Sequence, residues 1–249
     1  MGLMPPDAEI RTGNRIGFGG NVHQEWLWHC WTDLQSQFAR IRGKDRYALL
    51  LNGDLTEGVH HKSIEALTQG IEDHANMAIA AVGGLAGKAE KSFVTLGTEV
   101  HTGLIENYIA KEIGAASGKA RAKWLFRMAG CLVDATHHIG TTSRAYLEAG
   151  ALSIAMGNAR LNSMRCGQEP ARVYLRGHRH TGGWFSDGQG MMGVTGGWQF
   201  LTRYGRKVVP DSIPRPSALV LDWRRKRDGD LPEVHEIVYT PEQDEIEKV

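Results

Sequence analysis

The sequence predicts an α/β domain built in layers, with helices on the outside and β-strands within. Short apolar runs alternate with longer segments of helical periodicity from about residue 22 to residue 176. After about residue 190 strand-like runs follow one another without helices between them. Alternating αβ units followed by a β-rich tail are typical of one layered α/β domain. A sandwich of three or four layers fits this order best.

Size and charge limit the class of protein. The chain has 249 residues, of which 41% are hydrophobic, so it can bury a substantial core. We expect one domain over 1–249, with an irregular segment at 1–20. The formal net charge of +1 creates no global field that would attract nucleic acid or an anionic membrane. No stretch approaches the roughly 20 apolar residues of a membrane span, and the N-terminus lacks signal-peptide features, which predicts a cytoplasmic protein without a membrane partner.

Four segments are predicted to be helical. In the first, apolar residues recur at steps of three and four from Leu27 to Ile41, which places them on one face of a helix over 22–42. Gly43 follows and ends this helix. Three more helices are predicted at 63–86, about 104–113 and 143–164.

Short apolar runs predict the strands. The run 47–51 is apolar throughout, which is typical of a strand that is buried on both faces. A longer β-rich run lies at 124–135. The remaining strands are predicted at 92–96, 173–175, 191–194, 218–222 and 234–239.

Metal-ligand residues follow two of these strands. Asp54 comes shortly after the first strand, in a Gly-Asp pair, and His178 and His180 follow the strand at 173–175, in Gly-His-Arg-His. The carboxyl ends of such strands meet at one edge of a sheet. A carboxylate with two imidazoles suits a divalent transition metal. Each segment alone also fits an ordinary turn or a solvated loop, whereas together they predict a metal site.

Two further strand ends carry the same residue types. Glu99 and His101 follow the second strand, and His137 and His138 follow the β-rich run. Four separate strand ends therefore present candidate ligands, which strengthens the prediction of a metal site.

The order of these blocks resembles the calcineurin-like metallophosphoesterase family, of the phage and bacterial type. That family carries Asp-x-His, Gly-Asp, Gly-Asn-His-(Asp/Glu), a lone His and Gly-His-x-His along an αββα sandwich. The resemblance covers most of the chain, from Leu49 to about Thr181. It implies an αββα sandwich and hydrolysis of a phosphate ester by metal-activated water.

The resemblance also implies roles for single residues. Asp54 would bridge two metal ions, and His180 would ligate the first ion. Glu99, His137 and His178 would complete the shell of the second ion. His137 is preferred to His138 because it stands two residues ahead of an Ile-Gly turn, as in the family pattern.

The third block departs from the family pattern, because it reads Gly-Thr-Glu-Val-His instead of Gly-Asn-His. In one interpretation Glu99 replaces the amide ligand and His101 protonates the leaving group. In another, Thr98 stands in the place of the amide and Glu99 is catalytic. The first is favoured, and a third interpretation, in which both residues merely begin the next helix, stays open.

Substrate contacts are expected near the Gly-Asp pair. His60 and His61 follow it closely beside a glycine, and we expect them to contact the substrate, with a solvated loop as the alternative.

The Asp-x-His block of the family is missing. No apolar strand and no Asp-x-His precede the first helix. This indicates an internal start, a cut, or a true loss of the first strand together with two ligands of one ion. One firmly bound ion, the second, is therefore predicted, and the site of the first ion is incomplete because only Asp54 and His180 remain for it. A lost central strand should destabilise the sheet unless another segment or a partner chain covers the edge.

The leading functional hypothesis is a metal-dependent phosphoesterase that acts on a phosphodiester, such as nucleic acid or a nucleotide, or on a phosphomonoester. The resemblance to the nuclease branch favours DNA or a nucleotide. Manganese is the expected metal, and zinc, iron or nickel suit the same ligands. The alternative is a catalytically impaired or non-catalytic binding or structural protein on the same scaffold. A homo-oligomer, in which another chain supplies the missing strand, is compatible with either hypothesis.

Overall fold

The computed structural model describes residues 2–8, 20–58, 68, 70–99, 105–140, 148–200, 207, 213 and 215–241, without the side chains of 148 and 149.

Four α-helices lie within these residues. They are α1 (Val22–Arg42), α2 (Ile71–Ala86), α3 (Ile105–Glu112) and α4 (Glu148–Arg165). The first begins and ends as predicted, because the Asn21 side chain accepts from the N–H of Gln24 at 3.1 Å and Gly43 takes a φ of 62° after the last turn. α2 begins later than predicted, and most of the segment ahead of it lies outside the described residues. In the described part of the chain, no helix is both long and apolar enough to cross a membrane.

Nine strands are described. They are β1 (Ala48–Leu51), β2 (Lys91–Val94), β3 (Trp124–Met128), β4 (Cys131–Ala135), β5 (Val173–Arg176), β6 (Gly183–Ser186), β7 (Met191–Val194), β8 (Ser217–Asp222) and β9 (Glu233–Val238). The predicted β-rich run is the hairpin β3–β4. β6 was not predicted from the sequence.

The strands form one large sheet and two separate pairs. The five-stranded sheet has the order β3-β4-β5-β7-β6, with β4, β5 and β7 parallel and the two edge strands antiparallel. β1 pairs with β2 in parallel, and β8 pairs with β9 in antiparallel orientation.

The apolar clusters show how these elements stack. Met156 of α4 packs on the outer face of the five-stranded sheet, at Tyr174. The inner face of that sheet, at Val133 and Val173, packs against Leu50 of β1 and Leu221 of β8.

The opposite side of the two strand pairs is covered by helices. Val94 of β2 packs against Ala110 of α3, and Val220 of β8 packs against Trp31 of α1. The layers are therefore α4, the five-stranded sheet, the two strand pairs, and α1 to α3. This arrangement confirms the predicted αββα sandwich.

The layer of strand pairs is interrupted. β1 and β8 are not hydrogen-bonded to each other. A cavity of about 640 Å³ lies between them, and side chains of α1, α2 and the five-stranded sheet also line it.

Candidate metal centre

The loop after β1 is bent so that it delivers Asp54 to the edge of the sheets. Gly53 has a φ of 75° and Asp54 a φ of 50°, a region that side chains other than glycine rarely adopt. A Cβ on Gly53 would lie 2.6 Å from Nδ1 of His137, so only glycine lets the two loops approach this closely. Glycine at position 53 is therefore required by the geometry of the loop.

His137 follows β4 and is held in one orientation. Its side chain is 3% exposed, and Nδ1 lies 2.6 Å from the carbonyl oxygen of Asn52. A carbonyl can only accept, so Nδ1 carries the proton and donates. In the neutral ring Nε2 then offers a lone pair. Nε2 lies 2.9 Å from Oδ2 of Asp54.

His178 completes a group of three ligand-type side chains. It follows β5 with a φ of 70°. One ligand atom from each of Asp54, His137 and His178 lies within 4.8 Å of the other two. Strained backbone at two of the three positions is typical of functional sites. One carboxylate and two imidazoles are a donor set that fits a divalent transition metal, so this group could hold such an ion.

Thr98 orients the carboxylate of this group. Its N–H donates to Oδ1 of Asp54 at 2.6 Å, and its hydroxyl lies 3.3 Å from Oδ2 of Asp54 and 3.3 Å from Nδ1 of His178. The structure thus places Thr98 beside Asp54. A partner of this kind fixes the orientation of a ligand.

Glu106 ties the two loops together. This carboxylate, in the first turn of α3, is fully buried. It accepts from the N–H of Gly97 at 2.7 Å and from the N–H of Leu55 at 3.3 Å. Burial raises the pKa of Glu106 to about 7, although both hydrogen bonds oppose the shift. The sequence did not identify this residue, because an acidic side chain in a first turn normally serves the helix dipole.

The pKa values of the two imidazoles, His137 and His178, are shifted in opposite directions. Burial lowers the pKa of His178, and repulsion from His137 and His138 lowers it further, so its ring stays neutral. Burial also acts to lower the pKa of His137, but the carboxylate of Asp54 and the carbonyl of Asn52 outweigh it and raise the pKa. Metal binding at this group would therefore compete with a proton on His137.

The other predicted residues lie differently. Glu99 is exposed and is not part of the group of three. His138 is exposed, with its ring centroid 5.0 Å from those of His137 and His178. His180 has a φ of 60° and lies beside Gln199, whose Nε2 is 3.0 Å from Nδ1 of His180. Three further predicted residues lie outside the described part of the chain: His60, His61 and His101.

Comparisons with known proteins give similarities of structure. No protein-family model matches the sequence, and no curated protein matches it. The chain is similar to a novel archaeal phosphodiesterase, at 12% identity over 85% of this chain and 93% of that chain, with a TM-score of 0.47. It is also similar to wild-type Vps29 from Entamoeba histolytica, solved in complex with zinc, at 11% identity over 82% and 88% of the two chains, with a TM-score of 0.41. A third similar structure is vacuolar protein sorting 29 from Cryptosporidium parvum, at 13% identity over 79% and 98%, with a TM-score of 0.39.

Proposed function

We propose that this protein is a metal-dependent phosphoesterase of the calcineurin-like class, which hydrolyses a phosphodiester, such as DNA or a nucleotide, or a phosphomonoester. The observation that carries the proposal is the convergence of Asp54, His137 and His178 at one edge of the two sheets. These residues come from three separate strand ends, so the fold itself brings them together. The order of the motifs along the chain supports the same family.

Asp54, His137 and His178 would hold one ion, with Glu99 proposed as a further ligand. His180 is proposed as a ligand of the other ion, which Asp54 would share. Manganese is the proposed metal, and zinc, iron or nickel are compatible with the same donors. When bound, the ion supplies a Lewis acid for a phosphoryl oxygen and lowers the pKa of a bound water molecule.

The protein's own groups position these ligands. Thr98 fixes the carboxylate of Asp54 through its N–H, and the carbonyl of Asn52 fixes the ring of His137. We propose that His101 protonates the leaving group and that His60 and His61 contact the substrate.

Metal content and hydrolysis of bis-p-nitrophenyl phosphate, measured on the same manganese-loaded samples, test this function. We expect Asp54→Asn and His178→Ala to weaken metal binding at least about 100-fold, since each changes one of the three ligand groups that converge, and to abolish turnover. His235→Ala is the matched control, because it removes an imidazole from β9 and should change neither quantity. Full activity in Asp54→Asn would rule out the proposed site.

The adjacent pair of histidines gives a second test of the ligand set. His137→Ala should lose the metal because the buried ring lies 2.9 Å from Asp54, whereas His138→Ala should keep it because that ring is exposed. The reverse result would assign the ligand to His138.

A non-catalytic metal-binding scaffold is the second candidate. In the described part of the chain, three ligand atoms converge, which is enough for one ion but not for a pair. Tight binding of one ion without turnover, lost again in Asp54→Asn, would favour this candidate.

A further inference from the structure

The outer face of α4, which points away from the five-stranded sheet, carries large apolar side chains. Ile154 is 67% exposed, Leu161 51% and Met164 63%. Leu152 and Met156 lie on the opposite face of the helix and are buried against the sheet. The outer face of a surface helix is normally polar. Apolar residues on both faces are typical of a helix that packs on both sides.

The exposed apolar residues and two glycines follow a heptad pattern along this face. Steps of four and three residues alternate through Gly150, Ile154, Gly157, Leu161 and Met164. This is the spacing with which two helices pack along a common seam. Large side chains at 154 and 161 alternate with glycines at 150 and 157, so protrusions alternate with gaps.

The two glycines of this seam are not required by the packing of the chain itself. A Cβ on Gly150 or on Gly157 would meet nothing within 4 Å, and neither residue has a positive φ. Glycine inside a helix lowers the stability of that helix relative to alanine. Close approach of a second backbone is a use of glycine that fits both positions.

The seam carries no free charge. Between Gly150 and Met164 the one charged residue of α4 is Arg160, whose guanidinium nitrogens lie 2.6 and 3.0 Å from the carboxylate oxygens of Asp187. Two copies of this face can therefore meet without repulsion between like charges.

The undescribed segment 141–147 directly precedes α4. Seven residues that must return to the first turn of the helix extend at most about 15 Å from it. Leu161 lies roughly 20 Å along the helix axis from that turn. This segment therefore cannot cover the second half of the seam.

From these observations we infer that the outer face of α4 binds a second copy of this chain, with the two helices antiparallel about a two-fold axis between Ala155 and Met156. This axis places Ile154 opposite Gly157 of the other copy, and Leu161 opposite Gly150 of the other copy. Each large side chain then fills a gap, and the axis repeats every contact. The axis lies near the middle of the 18-residue helix, so the two helices overlap along most of their length.

Other two-fold arrangements fit these side chains less well. An axis between Gly157 and Asn158 would place Ile154 against Leu161 of the other copy and a glycine against an asparagine. A parallel pair would place each isoleucine against the same isoleucine and each glycine against the same glycine. Both arrangements leave the gaps at the glycines unfilled.

Sedimentation equilibrium of the full chain tests the inference. A single helix from each copy makes a small contact, so we expect weak association with a dissociation constant on the order of 10 μM. Ile154→Ala should weaken association at least about tenfold, since the two-fold axis removes the contact twice. Ile71→Ala is the matched control, because this isoleucine of α2 is similarly exposed, at 60%, and should change nothing.

An exchange of the large and small residues tests the pairing itself. Gly157→Leu should weaken association at least about tenfold, because the new side chain meets Ile154 of the other copy. The single chain has room for it, and leucine favours a helix more than glycine does, so thermal unfolding at low concentration should show no loss of stability. The double variant Ile154→Gly with Gly157→Ile pairs large with small again and should restore the affinity to within about threefold of the original chain.

Disulfide formation distinguishes the antiparallel register from the parallel one. The chains for this experiment carry Cys166→Ser, which removes an exposed thiol. A mixture of Ile154→Cys and Gly157→Cys chains, oxidised with glutathione disulfide, should form covalent dimers, because the two positions lie opposite each other. Either variant alone should form them at least about tenfold more slowly, because identical positions are offset along the antiparallel pair.

Several outcomes would overturn the inference. A chain that stays monomeric at roughly tenfold above the expected dissociation constant has no such contact. Association that Ile154→Ala and Gly157→Leu leave unchanged would use another face. Failure of the double variant to recover affinity would contradict the pairing of 154 with 157. Faster cross-linking of Ile154→Cys alone than of the mixture would indicate parallel helices.

Discussion

The five-stranded sheet and the interrupted layer beside it are built from strands of similar apolar composition, yet they are buried to different extents. β5 and β7 are buried at all four positions. In β1 only Leu51 is buried, and in β8 only Ser217. The difference follows from pairing, since β5 and β7 have neighbours on both edges, whereas within the described residues β1 and β8 each have one. Burial in a layered fold thus depends on the adjoining strand as well as on the side chains of the strand itself.

The ligands of the candidate metal centre come from both of these layers. The five-stranded sheet supplies the imidazoles of His137 and His178, and the interrupted layer supplies the carboxylate of Asp54. Asp54 is held by the N–H of Thr98, which donates to its carboxylate. The two loops around it are held by Glu106, which accepts from the N–H groups of Gly97 and Leu55. We therefore expect the site to be more sensitive to changes in these contacts than to changes in the five-stranded sheet.

The largest effect is expected from Gly97→Ala. A Cβ at this position would overlap the backbone and carboxylate of Asp54, so one of the two loops must move. We expect loss of metal binding and a free energy of unfolding lower by about 3 kcal/mol or more. Isothermal titration with manganese and denaturant unfolding measure the two quantities.

Gly183→Ala is the control for that change, because it adds the same methyl group to β6 of the five-stranded sheet, where nothing lies within 4 Å. It should bind manganese normally. Normal metal binding by Gly97→Ala would show that the loops are not packed as tightly as the structure indicates.

Glu106→Gln should have the next largest effect. The amide keeps one acceptor, so one of the two backbone N–H groups, at Gly97 or Leu55, is left facing an N–H donor. A buried unsatisfied group of this kind lowers the free energy of unfolding by about 1–3 kcal/mol. Manganese affinity should also fall roughly tenfold, the lower end for a group that positions a ligand.

Glu112→Gln, at the exposed end of the same helix, is the matched control and should change neither quantity. Loss of stability without loss of manganese affinity in Glu106→Gln would mean that the carboxylate supports the fold but not the site.

A matched pair of valines tests the contrast in burial directly. Val173 of β5 is 0% exposed, so Val173→Ala should lower the free energy of unfolding by about 2 kcal/mol, for two buried methyl groups and the cavity they leave. Val220 of β8 is only partly buried and borders the cavity. Val220→Ala should lower it by about 1 kcal/mol or less. Equal losses would mean that β8 is as tightly packed as β5.

Local signals account for the elements that the sequence predicted well. The extent of α1 follows from its apolar spacing, from Asn21 directly before its first residue and from Gly43 directly after its last. β6 was missed because its residues form a strand only by pairing with β7 in antiparallel register. β6 therefore depends on a tertiary contact, and its four residues are too few to show an alternation of apolar and polar side chains.

In the candidate site, too, some residues can be identified from local sequence and others depend on tertiary contacts. Asp54 and His178 stand in short motifs that carry their own glycines, so the sequence alone identifies them. The choice between Thr98 and Glu99 depends on how one loop lies against another. Glu106 accepts hydrogen bonds from the backbone of two loops, at Leu55 and at Gly97. Neither contact can be read from the residues next to Glu106 in the sequence. No periodicity or spacing could have indicated that role.

The smallest effect is expected at the far end of β8, where Asp222 pairs with Arg224 at 2.5 Å. The hydrogen bond from Arg224 lowers the pKa of Asp222 to about 2. Because the folded pKa is depressed, the stabilisation is present above the ordinary pKa of about 4 and is lost as the pH falls towards 2. Asp222→Asn should lower the free energy of unfolding at pH 6 by about 1 kcal/mol or less, since the guanidinium is partly exposed. The difference between the variant and the original chain should shrink as the pH falls from 4 to 2 in urea unfolding curves. A difference that persists at pH 2 would mean that the Asp222 side chain stabilises this end of the interrupted layer by packing rather than by charge.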